Sequence, residues 1–214
     1  MKYLMIAAFL FSIFIILTIS VMTNDPLRQW DYETFEKINI KHGTFVNFVM
    51  FVFSVYGREV VWIGVIGFLF MFGKVQGRKV AILLVITFLI LIPLGIIVKD
   101  VIDRPRPDAT FTDLLLTTEH NDPSFPSGHA LITSSGACIM LTQYNSGRQK
   151  ILSIILGFDA VLVGFSLIDV GAHYFLDVVG GILLGTATSF VMISFQNKFE
   201  PLFSIADSVR KRIR

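Results

Sequence analysis

The chain has 214 residues, 54% of them hydrophobic and 16% charged, with a mean hydropathy of +0.71 and a net charge of +2. A soluble domain usually carries about 25% charged residues, so these figures exclude a soluble, disordered, coiled-coil or nucleic-acid-binding chain. The single Cys138 excludes a disulfide framework and a thiolate zinc site.

A hydrocarbon core about 30 Å thick needs roughly 20 apolar residues in helix. Residues 3–22 supply the first run, read as a retained anchor because no small-x-small cleavage site precedes Asn24. Leu27, Trp30, Phe35 and Ile38 then mark an amphipathic segment expected on the outer leaflet. Residues 45–56 read as a short interfacial or re-entrant helix. It leads across Gly57, Arg58 and Glu59 into a second span at 60–72. The third span is 80–98, with a kink expected at Pro93. A shorter, small-residue run at 130–144 is the fourth, 151–170 the fifth and 175–195 the sixth. Gly181 and Gly185 form a GxxxG pair expected to pack inside the bundle, and Asp159 in the fifth span requires a partner or a cavity.

The expected fold is an all-α membrane bundle of six transmembrane helices plus short interfacial helices. It forms one domain over 1–214, with a core at about 3–197 and a basic tail at 198–214. Six spans put both termini on one side. With that side cytoplasmic, 11 Lys and Arg residues lie inside against 7 outside. The basic tail then meets the anionic inner leaflet. The polar stretch 99–129 falls outside and is too long for a simple connection.

Three polar clusters stand at outer span ends. Lys99 and Arg106 lie seven residues apart, two helical turns, and could face one phosphate; snorkelling cations are the plainer reading. Pro126-Ser127-Gly128-His129 places a tight turn at a helix start, an anion cradle with a proton donor in the first turn, or simply a capped helix. In the third cluster, Asp177 follows His173 by four residues, a spacing that sets the two side by side on a helix and orients the imidazole. No metal-ligand spacing such as HExxH is present. Lysine, arginine, a helix-start cradle and two histidines suit phosphoryl transfer without metal.

The order Lys99-x6-Arg106-Pro107, Pro126-Ser127-Gly128-His129, Ser166-x6-His173-x3-Asp177 resembles the three signatures of the type-2 phosphatidic acid phosphatases. These are membrane lipid phosphatases that share a helical core with vanadium haloperoxidases. The resemblance implies hydrolysis of a lipid phosphate, without cofactor or metal, at the extracytoplasmic face of the cell membrane. Phosphatidylglycerol phosphate, phosphatidic acid or undecaprenyl diphosphate is the implied substrate, and a monomer in the bilayer is expected. His173 is the implied nucleophile, forming a phosphohistidine, with Asp177 orienting it and His129 as general acid. Lys99, Arg106, Ser127 and the Gly128 backbone are the implied phosphate ligands, with Arg104, Pro126 and Ser166 as auxiliaries.

One position departs from the family pattern. Leu167 stands where the family carries an arginine beside its serine, and the unusual Asp169 follows. Arg104 or Arg58 is expected to fill the gap or to pair with Asp169. The alternative is a catalytically impaired relative that binds a phospholipid; a small transporter is disfavoured because inverted repeats are lacking.

Overall fold

The computed structural model describes residues 1–40, 42–107 and 122–212. Every regular element among them is helical: α1 (Lys2–Thr23), α2 (Asp25–Ile38), α3 (Thr44–Tyr56), α4 (Glu59–Phe72) and α5 (Lys74–Ile102) come first. Then follow α6 (Gly128–Gln143), α7 (Gly147–Asp169), α8 (Phe175–Ser194), a 3-10 turn at Gln196–Phe199 and α9 (Glu200–Arg212). Lys41, residues 108–121 of the polar stretch, residues 213–214 and the side chains of residues 206, 207 and 209–212 lie outside the described residues.

Among the described residues, α1, α5, α7 and α8 are long and apolar enough to cross a membrane. The pair α3–α4, bent by 56°, makes a fifth span if taken as one. Six spans are therefore not reached on length alone. The difference is α6, whose 16 residues fall short of the roughly 20 that hydrocarbon requires. This helix is enclosed by its neighbours rather than by lipid. Its small side chains let α8 come close, since a Cβ at Gly181 would stand 2.5 Å from the Ser127 carbonyl oxygen and one at Gly185 would collide with that of Leu131. The GxxxG pair thus seats α8 on α6 within the bundle, and the Ser135 and Ser189 hydroxyls bond across the same seam at 2.6 Å.

Around this pair, α1 packs along α8, α5 lies against α4 and α6, and α3 and α6 flank α7. Trp62, Leu84, Leu91, Phe125, Leu131 and Met140 form the common core. Phe9, Ile16, Ile63, Phe68, Ile97 and Phe158 point outward, an apolar belt suited to lipid. α5 passes through Pro93 as one helix. At 1.5 Å per residue its 29 residues span about 43 Å, longer than the hydrocarbon, which places Lys99 beyond it at one end.

α2 departs from expectation in the direction of its apolar stripe. Asn24 caps it by accepting from the Leu27 amide at 3.0 Å, and Pro26 follows in the first turn. Phe35 is buried against Ala130, Ile168 and Val178, and edge-on to Tyr174. The stripe rests on the bundle and not on a leaflet; Trp30 keeps a half-exposed place against Phe175. The physical reason is Asp31 on the same face, fully buried, which demands a charged partner inside the protein.

Candidate active site

The loop between α7 and α8 is folded back by its own backbone. The Ala172 and His173 amides both donate to the Leu167 carbonyl, at 2.9 and 3.1 Å, and Gly171 takes φ +82° to allow the reversal. α8 begins only at Phe175, so His173 precedes the helix and the four-residue spacing to Asp177 is not a helical pair. Their proximity comes from capping instead: Asp177 sits at the third position of α8 and accepts from the Tyr174 amide at 2.9 Å.

His173 is 2% exposed. Its Nδ1 stands 3.6 Å from Asp177 Oδ2, an ion-pair distance longer than a hydrogen bond. Arg106 Nη1 lies 3.4 Å from Nε2, the opposite edge of the ring. A guanidinium can only donate and a carboxylate can only accept, so the proton belongs on Nδ1 and the lone pair on Nε2. Burial lowers the His173 pKa below the usual imidazole value; Asp177 pulls it up, while Arg106 and Lys99 push it down. The result is a neutral imidazole with its free nitrogen beside a cation.

Arg104 forms the back wall. Its guanidinium donates to Asp177 Oδ1 at 2.6 Å and to Asp31 Oδ2 at 2.8 Å, and stacks on Tyr174 at 4.3 Å. Asp31 Oδ1 in turn accepts from the Leu176 amide at 3.0 Å. The auxiliary role expected of Arg104 is therefore to hold Asp177 in place from behind, not to fill the space at Leu167. Asp31 went unnoticed in the sequence, although an acid on the stripe of Phe35 and Ile38 was the available signal.

Lys99 and Arg106 converge, but on a residue of the chain itself. Asp122 accepts from Lys99 Nζ at 2.5 Å and from Arg106 Nη2 at 2.8 Å, while Arg106 also donates to the Ala172 carbonyl at 2.8 Å. Burial would raise the Asp122 carboxyl, yet the two cations hold it at about 2. Half exposed, this carboxylate occupies the kind of site a phosphate oxygen would take.

A cavity of about 240 Å³ joins Arg106, His129 and His173 with Arg58, Glu59 and Leu167. Gly128 stands beside Arg58: a Cβ there would meet only Arg58 Nη1, at 3.7 Å. Ser127 is fully buried and its hydroxyl caps α6 by accepting from the Ala130 amide at 3.4 Å. Pro126 follows a cis peptide bond in the turn that sets this helix start. Ser166 is also buried, donating to the Val163 carbonyl at 2.8 Å, and is not on the cavity wall. A larger groove, about 410 Å³, lies on the other face of Arg104 and contains no histidine.

The unusual Asp169 pairs with neither Arg58 nor Arg104. Its Oδ1 meets His42 Nε2 at 2.8 Å, and its carbonyl accepts from Asn39 at 2.6 Å, tying the end of α7 to the α2–α3 connection. Leu167 is buried with Val163, Val170 and Ala172, packed on by Phe53. Asp159 keeps one carboxylate oxygen buried with no hydrogen-bond partner among the described residues. No group of three or more His, Cys, Asp or Glu residues suited to a metal occurs among the described residues.

The chain can now be set beside known proteins. It is 40% identical over 169 residues to the undecaprenyl-diphosphatase of Sulfolobus acidocaldarius, covering 78% of this chain and 79% of that protein. It is 34% identical over 113 residues to phosphatidylglycerophosphatase B of Bacillus subtilis, covering 49% of this chain and 52% of that one. The crystal structure of a transmembrane PAP2-type phosphatidylglycerolphosphate phosphatase from Bacillus subtilis superposes with a TM-score of 0.71 at 27% identity. It covers 90% of this chain and 96% of that one. The sequence model of the PAP2 superfamily matches residues 78–201, from the start of α5 to the start of α9, and the chain belongs to that family.

Proposed function

We propose that this protein hydrolyses a membrane lipid phosphate or diphosphate at the outer face of the cell membrane, through a phosphohistidine. One observation carries the reading: His173 offers a neutral Nε2 beside Arg106 in a cavity that also holds His129. The His173 Nε2 lone pair attacks phosphorus, and the bond to the leaving oxygen breaks. His129 gives that oxygen a proton. Asp177 stabilises the positive charge developing on the imidazole, held in place by Arg104. Arg106 and Lys99 bind the phosphoryl oxygens once Asp122 has yielded its place. Water then attacks the phosphohistidine, returns its proton to His129 and releases inorganic phosphate.

α6 and the α3–α4 pair complete six crossings in this reading, and both termini face the cytoplasm. The names of the similar proteins support phosphatidylglycerol phosphate and undecaprenyl diphosphate as substrates, and phosphatidic acid shares their chemistry. The test is phosphate release by purified protein in detergent, with and without EDTA. Turnover insensitive to EDTA and reduced at least about 1,000-fold by His173→Ala is expected. Equal rates for wild type and His173→Ala would remove the nucleophile, and binding without any turnover would favour the impaired relative.

A further inference from the structure

We infer that Arg58 is a specificity-determining residue: it binds the leaving phosphate of a lipid diphosphate and thereby favours diphosphates over monoesters. The inference rests on the phosphatase reading and adds to it a substrate class.

Arg58 belongs to none of the three sequence clusters, and the fold brings it to the site. It lies in the short break between α3 and α4, where the helix axis turns by 56°. A Cβ on the preceding Gly57 would collide with Val163 of α7, so the break is pressed onto the helix that leads into the His173 loop. Arg58 is thereby fixed relative to His173 by backbone packing, although its side chain is about a third exposed. Its guanidinium lies over Gly128 and shares the cavity with His129.

The two cations of the cavity thus stand against different elements, the His173 loop and the start of α6. Arg106 touches His173 Nε2, the atom that receives the phosphoryl group. Arg58 stands beside Gly128, at the start of the helix that carries His129 in its first turn. Attack and departure in phosphoryl transfer are in line, so the leaving group occupies the side away from His173, where its oxygen is protonated. For a monoester that group is an alcohol, and a single proton neutralises it. For a diphosphate it is a lipid monophosphate, which gains a further negative charge as the P–O bond breaks. A proton from His129 offsets the charge gained in either case, but the lipid monophosphate keeps the charge it already carried, which a guanidinium at the same end can hold. Among the described residues Arg58 is bonded only to its neighbour Glu59, a partner an incoming phosphate can replace.

The experiment compares Arg58→Gln with wild type on two substrates in the same detergent micelles, undecaprenyl diphosphate and phosphatidic acid. Loss of one charge-assisted contact should lower kcat/KM at least about 30-fold for the diphosphate and less than about 3-fold for the monoester. Arg58→Lys should recover part of the diphosphate rate and is the second variant if Arg58→Gln folds poorly. An equal loss on both substrates would overturn the inference, placing Arg58 on the transferred phosphoryl group, and no loss on either would overturn it too. If wild type hydrolyses neither lipid, the phosphatase reading fails separately. Arg58 is then tested by binding: a lipid methylenebisphosphonate should lose affinity at least about 10-fold in Arg58→Gln while the matching monophosphonate does not, and equal affinities would refute the role.

Discussion

Arg104 and Arg106 are two residues apart in one Arg-Pro-Arg-Pro run, yet the structure gives them opposite surroundings. Arg104 is buried between two fully buried carboxylates and an aromatic ring. Arg106 meets a half-exposed carboxylate, a carbonyl and a histidine edge at the mouth of a cavity. The first set of partners cannot be exchanged for a ligand without leaving buried charge unpaired. The second can. A cation's role in such a site thus depends less on its charge than on whether its counter-ion can leave.

The sharpest test of this contrast is Arg104→Ala. Removing one partner of a buried ion network typically costs about 3–5 kcal/mol, so a large drop in the melting temperature in detergent is expected, with activity lost alongside it. Burial pushes the Asp31 carboxyl up against the pull of Arg104, so without that arginine Asp31 should take up a proton instead of staying charged. A variant as stable as wild type would show that the Arg104 network is not structural.

Arg106→Ala should behave in the opposite way. Its carboxylate partner is half exposed and can be hydrated, so the melting temperature should change less than in Arg104→Ala, whereas kcat/KM should fall about 100-fold for loss of a charge-assisted phosphate contact. If stability falls as far as in Arg104→Ala, the contrast between the two arginines collapses.

The smallest expected effect is in the pH profile. An ordinary imidazole is half protonated at 6.5, but His173 is shifted below that value, first by burial and then by Arg106 and Lys99. Its neutral, nucleophilic form therefore persists as pH falls through 6.5 and is lost only further down. Between pH 7 and 6 kcat/KM should fall by less than the roughly 3-fold that an imidazole of ordinary pKa would give, with the acid limb lower still. Neutralising the neighbouring cation should move that limb upward, so Arg106→Ala sharpens the same measurement. A limb centred at 6.5 or above in wild type would contradict the burial of His173.

Much of the bundle was legible because apolar length is a local property. The runs at 3–22, 80–98, 151–170 and 175–195 became α1, α5, α7 and α8 with shifted ends. α5 begins six residues earlier than its apolar run, since an amphipathic extension adds nothing to a hydropathy signal. The fourth run, Gly128–Gln143, is too short to stand out as a span by length, and its small residues serve contact with α8. The His173–Asp177 spacing predicted a neighbour correctly and its cause wrongly, because a helix start can bring the same two residues together by capping.

The sequence alone is enough to read a chain that lies in a membrane as helices and to point to the histidines, cations and helix start proposed to carry phosphate chemistry. Composition and short motifs need no partner from elsewhere in the chain to be read. What each charge answers to depends on the folded arrangement. Asp31 meets Arg104 across 73 residues, Asp169 meets His42 across 127, and Arg58 reaches Gly128 from a bent pair of helices. Buried charges must find counter-ions wherever the fold brings them, and sequence spacing carries no record of such distant pairs.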